Sequence, residues 1–383
     1  MNIYIKVFIF FFPYFSYPAF AYEKPGKVSS QCEINNYLSK VADWQIDHFT
    51  YQKNGNLHDY GIDAWTNAVL YVGMAEWAKL SGDTVIYNWL KNIGEENAWQ
   101  IPSNFKRYPK YKLYHADELC VGQFYLEMYS IYNDSLMMAS TRERIQWIMS
   151  NPPDADMSNK NKQSWTWCDA LFMAPPVYAR LARLSGDDSC LAFMDEHFKA
   201  TYNYLYDKKE DLFFRDDSYF TKEEANGKKV FWGRGNGWVM AGIVNILKYL
   251  PQDSAYRSYY ESLLKKLGKR LIKQQDKNGF WHASLLDAKS YPSPETSATA
   301  LITYALAFGI NNNILKGKDY LPAVQKGWNA LVSVVDNDGK LGFVQPIGAD
   351  PKEVTQEMTA VYGVGAFLLA GTEVYKLAER FEQ

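Results

Sequence analysis

The chain has 383 residues and a formal net charge of −2, so it lacks the basic field that nucleic-acid-binding proteins present. Charged residues make up 22% and hydrophobic residues 47%, a balance typical of a globular protein and unlike that of a disordered chain. Aromatic residues reach 16%, which either a large core or a sugar-binding cleft would explain.

The first stretch of the chain predicts an export signal. Lys6 precedes an apolar run that begins at Val7, and Ala19 and Ala21 form a small-residue cleavage site. The run is short and interrupted by proline, so we expect no membrane span here or later in the chain. We predict cleavage after Ala21, a periplasmic or secreted protein, and a single domain over residues 22–383, since no linker divides the rest.

Beyond the signal, apolar residues recur at three- and four-residue spacings, which predicts an almost entirely helical protein. Gly82 and Gly186 stand where helices should end, and Asp83 and Asp187 stand where the next helices should begin. The twelve predicted helices cover residues 34–48, 63–80, 84–96, 117–131, 139–149, 169–184, 188–204, 236–249, 254–275, 295–309, 318–334 and 357–378.

A weak internal repeat groups these helices into pairs. The turn residues Asp211, Gly279 and Gly339 each precede an apolar or aromatic cluster, at spacings of about 60–70 residues. A period in this range predicts six stacked helical hairpins. We expect them to close into an (α/α)6 barrel. An open solenoid is the alternative, although no polar end caps are visible.

The even-numbered helices of this series predict an inner ring, because they are apolar on nearly all sides or rich in small residues. The odd-numbered helices carry charged faces and predict an outer ring. In a closed ring the inner helices all begin at one end, where their dipoles and free N–H groups attract an anion. Unusual polar and aromatic residues lie at those helix starts, among them the substrate-binding candidates Trp65 and Trp238.

Two acidic residues are the candidate catalytic groups. Asp117 and Asp169 stand at the starts of neighbouring inner helices, and each alone would also fit a helix cap. The nearby Trp165, Trp167 and His115 favour a pair of carboxylates in an apolar cleft. Such a pair has separated pKa values and supplies one acid and one base. At this point both interpretations stay open.

A glycine-rich segment, Trp232-Gly-Arg-Gly-Asn-Gly-Trp238, carries a second candidate site. Its glycines allow close approach of the backbone. Arg234 needs an anionic partner, either a nearby Asp in a tight loop or the carboxylate of a substrate. The segment is not a phosphate-binding loop, since it lacks the Lys-Ser/Thr ending of that motif.

The remaining titratable residues give weaker signals. Glu295 and Glu357 fit the first turn of a helix, and His197 on an outer helix fits a structural role. His282, beside Trp281 in the loop before an inner helix, is a candidate substrate-binding residue, and Trp281 is another. Neither a Ser-His-Asp order nor a His/Cys metal cluster is visible.

The four cysteines, Cys32, Cys120, Cys168 and Cys190, permit two disulfides in an exported protein. The chain is long enough to form its own core, so it does not depend on such bridges. We expect buried free thiols.

Several motifs together resemble the unsaturated rhamnogalacturonyl hydrolases of glycoside hydrolase family 105, which are related to the unsaturated glucuronyl hydrolases of family 88. The most specific are the Trp165–Pro176 segment, with its Trp-x-Trp-Cys-Asp-Ala-Leu-Phe-Met order, and the glycine-rich Trp232–Trp238 segment. Three shorter motifs add to them: His115-Ala-Asp-Glu118, Ser293-Pro-Glu-Thr-Ser297 and Tyr362-Gly-Val-Gly-Ala-Phe367. The resemblance runs from about residue 40 to the C terminus and implies an (α/α)6 barrel.

The resemblance implies a hydrolase that removes a 4,5-unsaturated galacturonic acid from the non-reducing end of rhamnogalacturonan oligosaccharides produced by pectin lyases. Asp169 would protonate C4 of the sugar and then, as a base, activate the water that attacks C5. Asp117 would assist the acid and bind the sugar. Trp232 and Arg234 would contact the unsaturated uronate. No metal or organic cofactor is implied.

One position departs from the family pattern. Arg215 stands where better-studied members have a histidine, so it is a candidate for contact with the uronate carboxylate or with a second acidic group. We expect the aromatic surroundings of Asp169, formed by Trp165, Trp167 and Phe172, to raise its pKa and keep it protonated near neutral pH.

Two rival functions remain. One is an unsaturated glucuronyl hydrolase that acts on other acidic glycans, and the other is a non-catalytic helical glycan-binding protein. We expect an unsaturated, uronic-acid-containing oligosaccharide as the partner, with no role for nucleic acid, and a monomer or weak homodimer.

Overall fold

The computed structural model describes residues 29–51, 60–102, 110–161 and 163–382; the predicted export signal lies outside these residues. Within those ranges no helix has both the length and the apolar character needed to cross a bilayer. The helices are α1 Gln31–Asp47, α2 Trp65–Ser81, α3 Thr84–Glu96, α4 Lys110–Tyr114, α5 Ala116–Leu119, α6 Val121–Tyr132, α7 Leu136–Ser150, α8 Ala170–Met173, α9 Pro175–Ser185, α10 Ser189–Leu205, α11 Gly233–Tyr249, α12 Arg257–Leu271, α13 Thr296–Asn311, α14 Gly317–Ser333 and α15 Val361–Glu382. A small antiparallel ribbon pairs β1 Tyr206–Asp207 with β2 Leu212–Phe213.

Six helices form a closed inner ring. Helix α2 contacts α6, and the contacts continue through α9, α11, α13 and α15 until α15 returns to α2. Helices α1, α3, α7, α10, α12 and α14 each pack against a member of this ring from outside. The predicted (α/α)6 barrel is therefore confirmed, and the open solenoid is wrong.

Two inner helices are interrupted near their starts, which the sequence pattern did not predict. The segment expected to be one helix over 117–131 divides into α5 and α6, and that over 169–184 divides into α8 and α9. Pro175 and Pro176 explain the second break, because a proline nitrogen cannot donate the helical hydrogen bond. The last inner helix begins at Val361, four residues later than predicted.

The helix-ending signals hold at both predicted junctions. Gly82 and Gly186 follow α2 and α9 in the left-handed conformation, with φ of 72° and 71°. Asp83 caps α3 by accepting hydrogen bonds from two backbone N–H groups. Asp187 lies one residue before the cap of α10 and accepts the backbone N–H of Ser189 at 3.0 Å.

The repeated motifs form equivalent tight turns between an outer helix and the next inner helix. Asp211, Gly279 and Gly339 all have positive φ, at 55°, 97° and 105°. Short backbone pairings flank each turn. The weak sequence repeat therefore marks a real structural repeat of the hairpins.

The ring closes where α2 and α15 meet backbone to backbone. A methyl group on Gly365 would collide with the carbonyl oxygen of Val69, and one on Gly73 would collide with the carbonyl oxygen of Gly365. Only glycine allows this approach.

Replacing Gly365 with Ala should therefore lower the free energy of unfolding by at least about 1–3 kcal/mol, because the packed backbones must separate to admit the methyl group. Urea unfolding followed by circular dichroism would measure the loss. Gly317→Ala is the matched control, since a Cβ there meets only the side chain of Ile310 at 3.6 Å. Equal stability of the two variants would contradict this account of ring closure.

Ion pairs occupy the end of the barrel where the inner helices finish. Lys248 Nζ lies 3.1 Å from Glu76 Oε2, joining α11 to α2. The guanidinium of Arg180 on α9 pairs with Glu127 on α6. These pairs satisfy the charged groups at that end of the barrel.

The cysteines are free thiols, as predicted. Cys120, Cys168 and Cys190 are buried, but Cys32 lies exposed on α1, so the expectation of burial is wrong for that residue.

Candidate active site

The candidate catalytic residues lie at the end of the barrel where the inner helices begin. Asp117 lies in α5, and Asp169 directly precedes α8. The backbone N–H of Cys168 donates to the carbonyl oxygen of Arg215 at 2.8 Å, which ties the segment after β2 to the start of α8. This link places Arg215 beside Asp169.

Asp169 is a buried carboxylate that does not cap its helix. It occupies the N-cap position of α8 and is 8% exposed, yet its side chain makes no capping hydrogen bond. Its Oδ2 lies 3.6 Å from Arg215 Nε and 3.6 Å from the thiol of Cys168. The helix-cap interpretation is therefore wrong for this side chain. Its carboxylate remains available for chemistry.

Two arginines oppose the expected rise in the pKa of Asp169. Burial raises the pKa of Asp169, but the positive charges of Arg215 and Arg234 oppose that shift. Trp165 packs edge-on against Tyr178 on the inner helix α9 and His197 on the outer helix α10. Desolvation by burial outweighs the two arginines, so the pKa of Asp169 is raised.

Asp117 interacts electrostatically with Asp169. Burial and the negative charge of Asp169 raise the pKa of Asp117 to about 7, while Arg215 opposes the rise. His115 Nδ1 lies 3.9 Å from Asp117 Oδ2, and its ring lies 4.7 Å from that of Trp167. Asp117 is therefore partly protonated near neutral pH, next to the carboxyl group of Asp169.

Arg215 is held in place by a buried partner that the sequence reasoning did not identify. Its Nη1 donates to Asp216 Oδ2 at 2.6 Å, and the Asp216 residue is only 3% exposed. The backbone N–H of Ser218 donates to the other carboxylate oxygen of Asp216 at 2.9 Å. The side chain of Arg215 is 27% exposed, so it faces solvent while its base is fixed.

Arg234 has no carboxylate partner among the described residues. Its Nη1 donates to the carbonyl oxygen of Gln345, and its Nη2 donates to that of Pro346 at 2.9 Å. The guanidinium also lies over the ring of Trp232, 4.5 Å from the ring centroid. The predicted ion pair with a nearby Asp is therefore wrong, because backbone carbonyl dipoles take its place.

Gln345 joins three inner helices beneath this arginine, and no motif in the sequence marks it. Its side-chain oxygen accepts the indole N–H of Trp232 at 3.1 Å, and its carbonyl oxygen accepts the hydroxyl of Tyr362. Its backbone N–H donates to Glu295 at 3.2 Å. Gln345 thus connects the starts of α11, α13 and α15.

The weaker structural predictions have mixed outcomes. Glu295 is fully buried and caps α13, where it accepts two backbone N–H groups at 3.1 and 2.7 Å, so a structural role is confirmed. His197 packs on Phe193 within α10, as expected of a structural residue. Glu357 precedes α15 and lies exposed, 3.4 Å from Lys340, so its placement in a first turn is wrong.

Four aromatic rings form a connected group at the same end of the barrel. The ring of Trp65 lies 5.2 Å from that of Tyr362 and 6.1 Å from that of Trp238. Trp238 continues to Phe172 at 4.7 Å. Trp238 is only 1% exposed, whereas Trp65 is partly exposed. Trp65 is therefore the member of this group that can stack on a sugar.

Trp165 and Trp281 were substrate-binding candidates, but the structure gives both of them structural contacts. Trp165 is buried, and its ring packs against Tyr178 on α9 and His197 on α10. Trp281 is fully buried, and its indole N–H donates to the carbonyl oxygen of Leu271 at 2.8 Å. We therefore exclude both from the candidate site.

His282 was also a substrate-binding candidate, but both of its ring nitrogens are engaged. Nδ1 lies 3.0 Å from the carbonyl oxygen of Ser293, and Nε2 lies 3.2 Å from Asp276 Oδ2. Burial alone would lower the pKa of His282, yet the hydrogen bond and charge of Asp276 raise it above the usual value. His282 therefore stabilises the loop before α13, and neither ring nitrogen is available to a substrate.

The His282–Asp276 pair should make stability depend on pH. Because the pKa of His282 is raised in the folded state, this residue stabilises the fold fully at pH values below its unfolded-state pKa of about 6.5. The contribution is lost as pH rises through the folded-state pKa. His282→Gln should therefore cost about 1–2 kcal/mol more at pH 6 than at pH 9. Urea unfolding at both pH values measures this. The exposed His48→Gln is the control, and equal losses from His282→Gln at both values would contradict the prediction.

The closed ring of six helical hairpins is the fold of the six-hairpin glycosidases, and in this chain two carboxylates, a cation and aromatic rings lie where the inner helices begin. Comparison with known proteins agrees with this class. The family model described as Glycosyl Hydrolase Family 88 matches residues 37–378. The chain belongs to glycosyl hydrolase family 88, and the resemblance predicted from its motifs is confirmed.

Three characterised relatives match over most of their length. An unsaturated 3S-rhamnoglycuronyl hydrolase of Formosa agariphila is 35% identical, over 91% of this chain and 92% of its own. A protein of the same name from an Alteromonas species is 33% identical, over 87% and 84%. An unsaturated rhamnogalacturonyl hydrolase of Bacillus subtilis is 22% identical, over 85% and 93%.

Two solved structures share the fold at comparable identity. A family 88 glycosyl hydrolase from Bacteroides vulgatus superimposes with a TM-score of 0.81 at 30% identity, over 91% of this chain and 99% of its own. A protein described as a polysaccharide lyase gives 0.82 at 32%, over 93% and 99%.

Proposed function

We propose that this protein is a hydrolase that removes a 4,5-unsaturated uronic acid from the non-reducing end of rhamnose-containing acidic oligosaccharides. The observation that carries the proposal is the Asp117–Asp169 pair, in which Asp169 is buried and makes no helix-capping hydrogen bond. The names of the three relatives, all of which specify a rhamnose-linked unsaturated uronyl group, support this substrate class.

The proposed reaction hydrates the double bond before the sugar link breaks. Asp169, protonated, donates its proton to C4, and the resulting positive charge is shared by C5 and the ring oxygen. The carboxylate then removes a proton from water as the water oxygen bonds to C5, which regenerates the acid. The C5 hemiketal opens by breaking its bond to the ring oxygen, leaving a ketone at C5 and a hemiacetal at C1 that releases the neighbouring sugar. One water is consumed.

Burial and the negative charge of Asp169 raise the pKa of Asp117 to about 7, so Asp117 is partly protonated near neutral pH. We propose that Asp117 holds a proton close to Asp169, the group that transfers the proton to the substrate.

The sugar next to the uronate, and not the uronate itself, sets the specificity that we propose. Formation of the 4,5-double bond removes the configuration at C4 and C5, so galacturonate and glucuronate give the same unsaturated residue. A site that binds this residue cannot distinguish the parent sugars. We propose rhamnose as the neighbour, with pectin-derived rhamnogalacturonan fragments among the substrates.

Rates on three unsaturated disaccharides would test this specificity. The uronate would be linked to rhamnose, to rhamnose bearing a sulfate at O3, or to a hexosamine as in glycosaminoglycans. We expect kcat/KM to be at least about tenfold higher for one of the rhamnose compounds than for the hexosamine compound. A preference for the hexosamine would support the rival unsaturated glucuronyl hydrolase instead.

A lyase is the second candidate, because one similar structure carries that description. A lyase would remove a proton from C5 and create the conjugated double bond, whereas the proposed hydrolase consumes it. Ultraviolet absorbance would therefore rise with a lyase acting on an intact polymer and fall with the hydrolase acting on an unsaturated product. A glycan-binding protein would cause neither change.

We also propose that the protein is exported, with cleavage after Ala21, to the periplasm or the medium. Support comes from the charged and apolar pattern that begins at Lys6. Sequencing the N terminus of the exported protein should read Tyr22 first, and a start at Met1 would contradict the proposal. We also propose a monomer or weak homodimer, which light scattering would test.

A further inference from the structure

We propose that Gln345 is a positioning residue of the candidate active site. Its side chain, and the loop that this side chain closes, hold Trp232 and Arg234 in place and so determine how tightly the uronate binds. The proposal rests on the proposed function, because the motif resemblance implies that Trp232 and Arg234 contact the uronate. The resemblance assigns no role to the loop between α14 and α15, where Gln345 lies.

Trp232 and Arg234 lie at the start of α11, against the segment that carries the proton donor. A Cβ built on Gly235 would lie 3.0 Å from the sulfur of Cys168, the residue before Asp169, and 3.1 Å from the ring of Trp232. Burial raises the pKa of Asp169 and the positive charge of Arg234 opposes that rise, so the guanidinium acts on the donor. Trp232 and Arg234 are only 2% and 1% exposed, so their buried partners determine where they lie.

Gln345 is a partner of both residues. Its side-chain Oε1 accepts the indole N–H of Trp232 at 3.1 Å, and its carbonyl oxygen accepts Nη1 of Arg234. The carbonyl oxygen of the next residue, Pro346, accepts Nη2 of Arg234 at 2.9 Å. The side-chain Nε2 of Gln345 donates to the carbonyl oxygen of Asp350 at 2.7 Å, which closes the Gln345–Asp350 loop. One glutamine therefore fixes the tryptophan directly and the arginine through the loop backbone.

The two contacts of this side chain require an amide. The indole N–H of Trp232 needs an acceptor and the carbonyl of Asp350 needs a donor, and a glutamine side chain supplies one of each. Gln345 is fully buried, so an apolar replacement would leave the indole N–H without a hydrogen bond away from water. The backbone N–H of Gln345 donates to Glu295 at 3.2 Å. This bond does not depend on the side chain, so a substitution should release Trp232 while the loop stays attached to α13.

Gln345→Met would test the role, because it keeps the length of the side chain and removes both hydrogen bonds. KM for an unsaturated uronyl-rhamnose disaccharide should rise at least about tenfold while kcat changes less than about threefold. The pH at which kcat/KM falls should not move, because Asp117 and Asp169 are untouched. A purely structural role would lower the free energy of unfolding without this rise in KM. A folded Gln345→Met with KM within about twofold of wild type would overturn the proposal.

A double-mutant cycle would show whether Gln345 acts through the indole. In a Trp232→Phe background, which has no indole N–H, Gln345→Met should raise KM by only about threefold or less. An undiminished effect in that background would overturn the proposal.

Two further variants complete the test. Gln275→Met is the control, since it removes an amide that donates to the carbonyl oxygens of Gly279 and Ala323 at 3.0 and 2.9 Å, and it should leave KM unchanged. Gln345→Asn, whose shorter amide cannot reach the indole, replaces Gln345→Met if that variant does not fold, and should show the same rise in KM. If neither variant folds, Gln345 is a structural residue and the proposal is overturned. If wild type fails to consume the unsaturated substrate, the proposed function itself fails.

Discussion

Asp169→Asn should lower kcat by about 10³–10⁴-fold, because the amide can neither protonate C4 nor accept a proton from water. The substitution keeps the shape of the side chain. Since Asp169 makes no capping hydrogen bond, α8 should form as before. Initial rates on an unsaturated uronyl-rhamnose disaccharide would measure the loss, and circular dichroism would check the fold.

The control for this variant is another aspartate next to a helix start. Asp187→Asn alters a carboxylate that precedes α10 and accepts one backbone N–H, outside the candidate site. It should leave kcat unchanged. A rate for Asp169→Asn within threefold of that control would show that Asp169 is not the proton donor.

Asp117→Asn should lower kcat/KM by about 10²-fold and change its pH profile. The pKa of Asp117 is about 7 because of burial and the charge of Asp169. Activity of the wild type requires the pair to hold one proton, so kcat/KM should fall as pH rises past about 7. Without the titrating group at position 117, this falling limb should shift to a different pH. A limb that stays near pH 7 in the variant would contradict the assignment.

The same pKa carries a prediction for stability. The folded protein binds a proton at Asp117 more tightly than the unfolded chain does, so ionisation of this group destabilises the fold as pH rises from about 4 to 7. Asp117→Asn removes that cost. The free energy of unfolding of the variant, relative to that of wild type, should therefore be higher at pH 7.5 than at pH 4.5. Urea unfolding at the two pH values would measure this difference.

The sequence predicted the ring of helical hairpins because many residues contribute to the repeated pattern. Apolar periodicity located the twelve main helices, and the turns at Asp211, Gly279 and Gly339 set their pairing. The breaks before α6 and α9 were missed, because periodicity continues across them and only Pro175 and Pro176 mark one. The direct backbone contact between Gly73 and Gly365 has no signal in a single sequence.

The site was predicted less completely, because sequence gives no side-chain directions. Trp165 and Trp167 are two residues apart, yet one packs against Tyr178 and the other lies against His115. Arg234 was expected to need a carboxylate, but carbonyl groups more than 100 residues away satisfy it. Gln345 lies in a loop without a motif, so only the fold reveals that it joins three helices.

The most direct test of the central claim is the ultraviolet absorbance of the conjugated double bond, followed while the wild-type protein acts on an unsaturated uronyl-rhamnose disaccharide. Hydration at C4 and C5 by the Asp117–Asp169 pair predicts that the absorbance disappears and that one rhamnose is released for each double bond lost. Release of rhamnose with the double bond still present in the freed uronate, or no loss of absorbance at all, would contradict it.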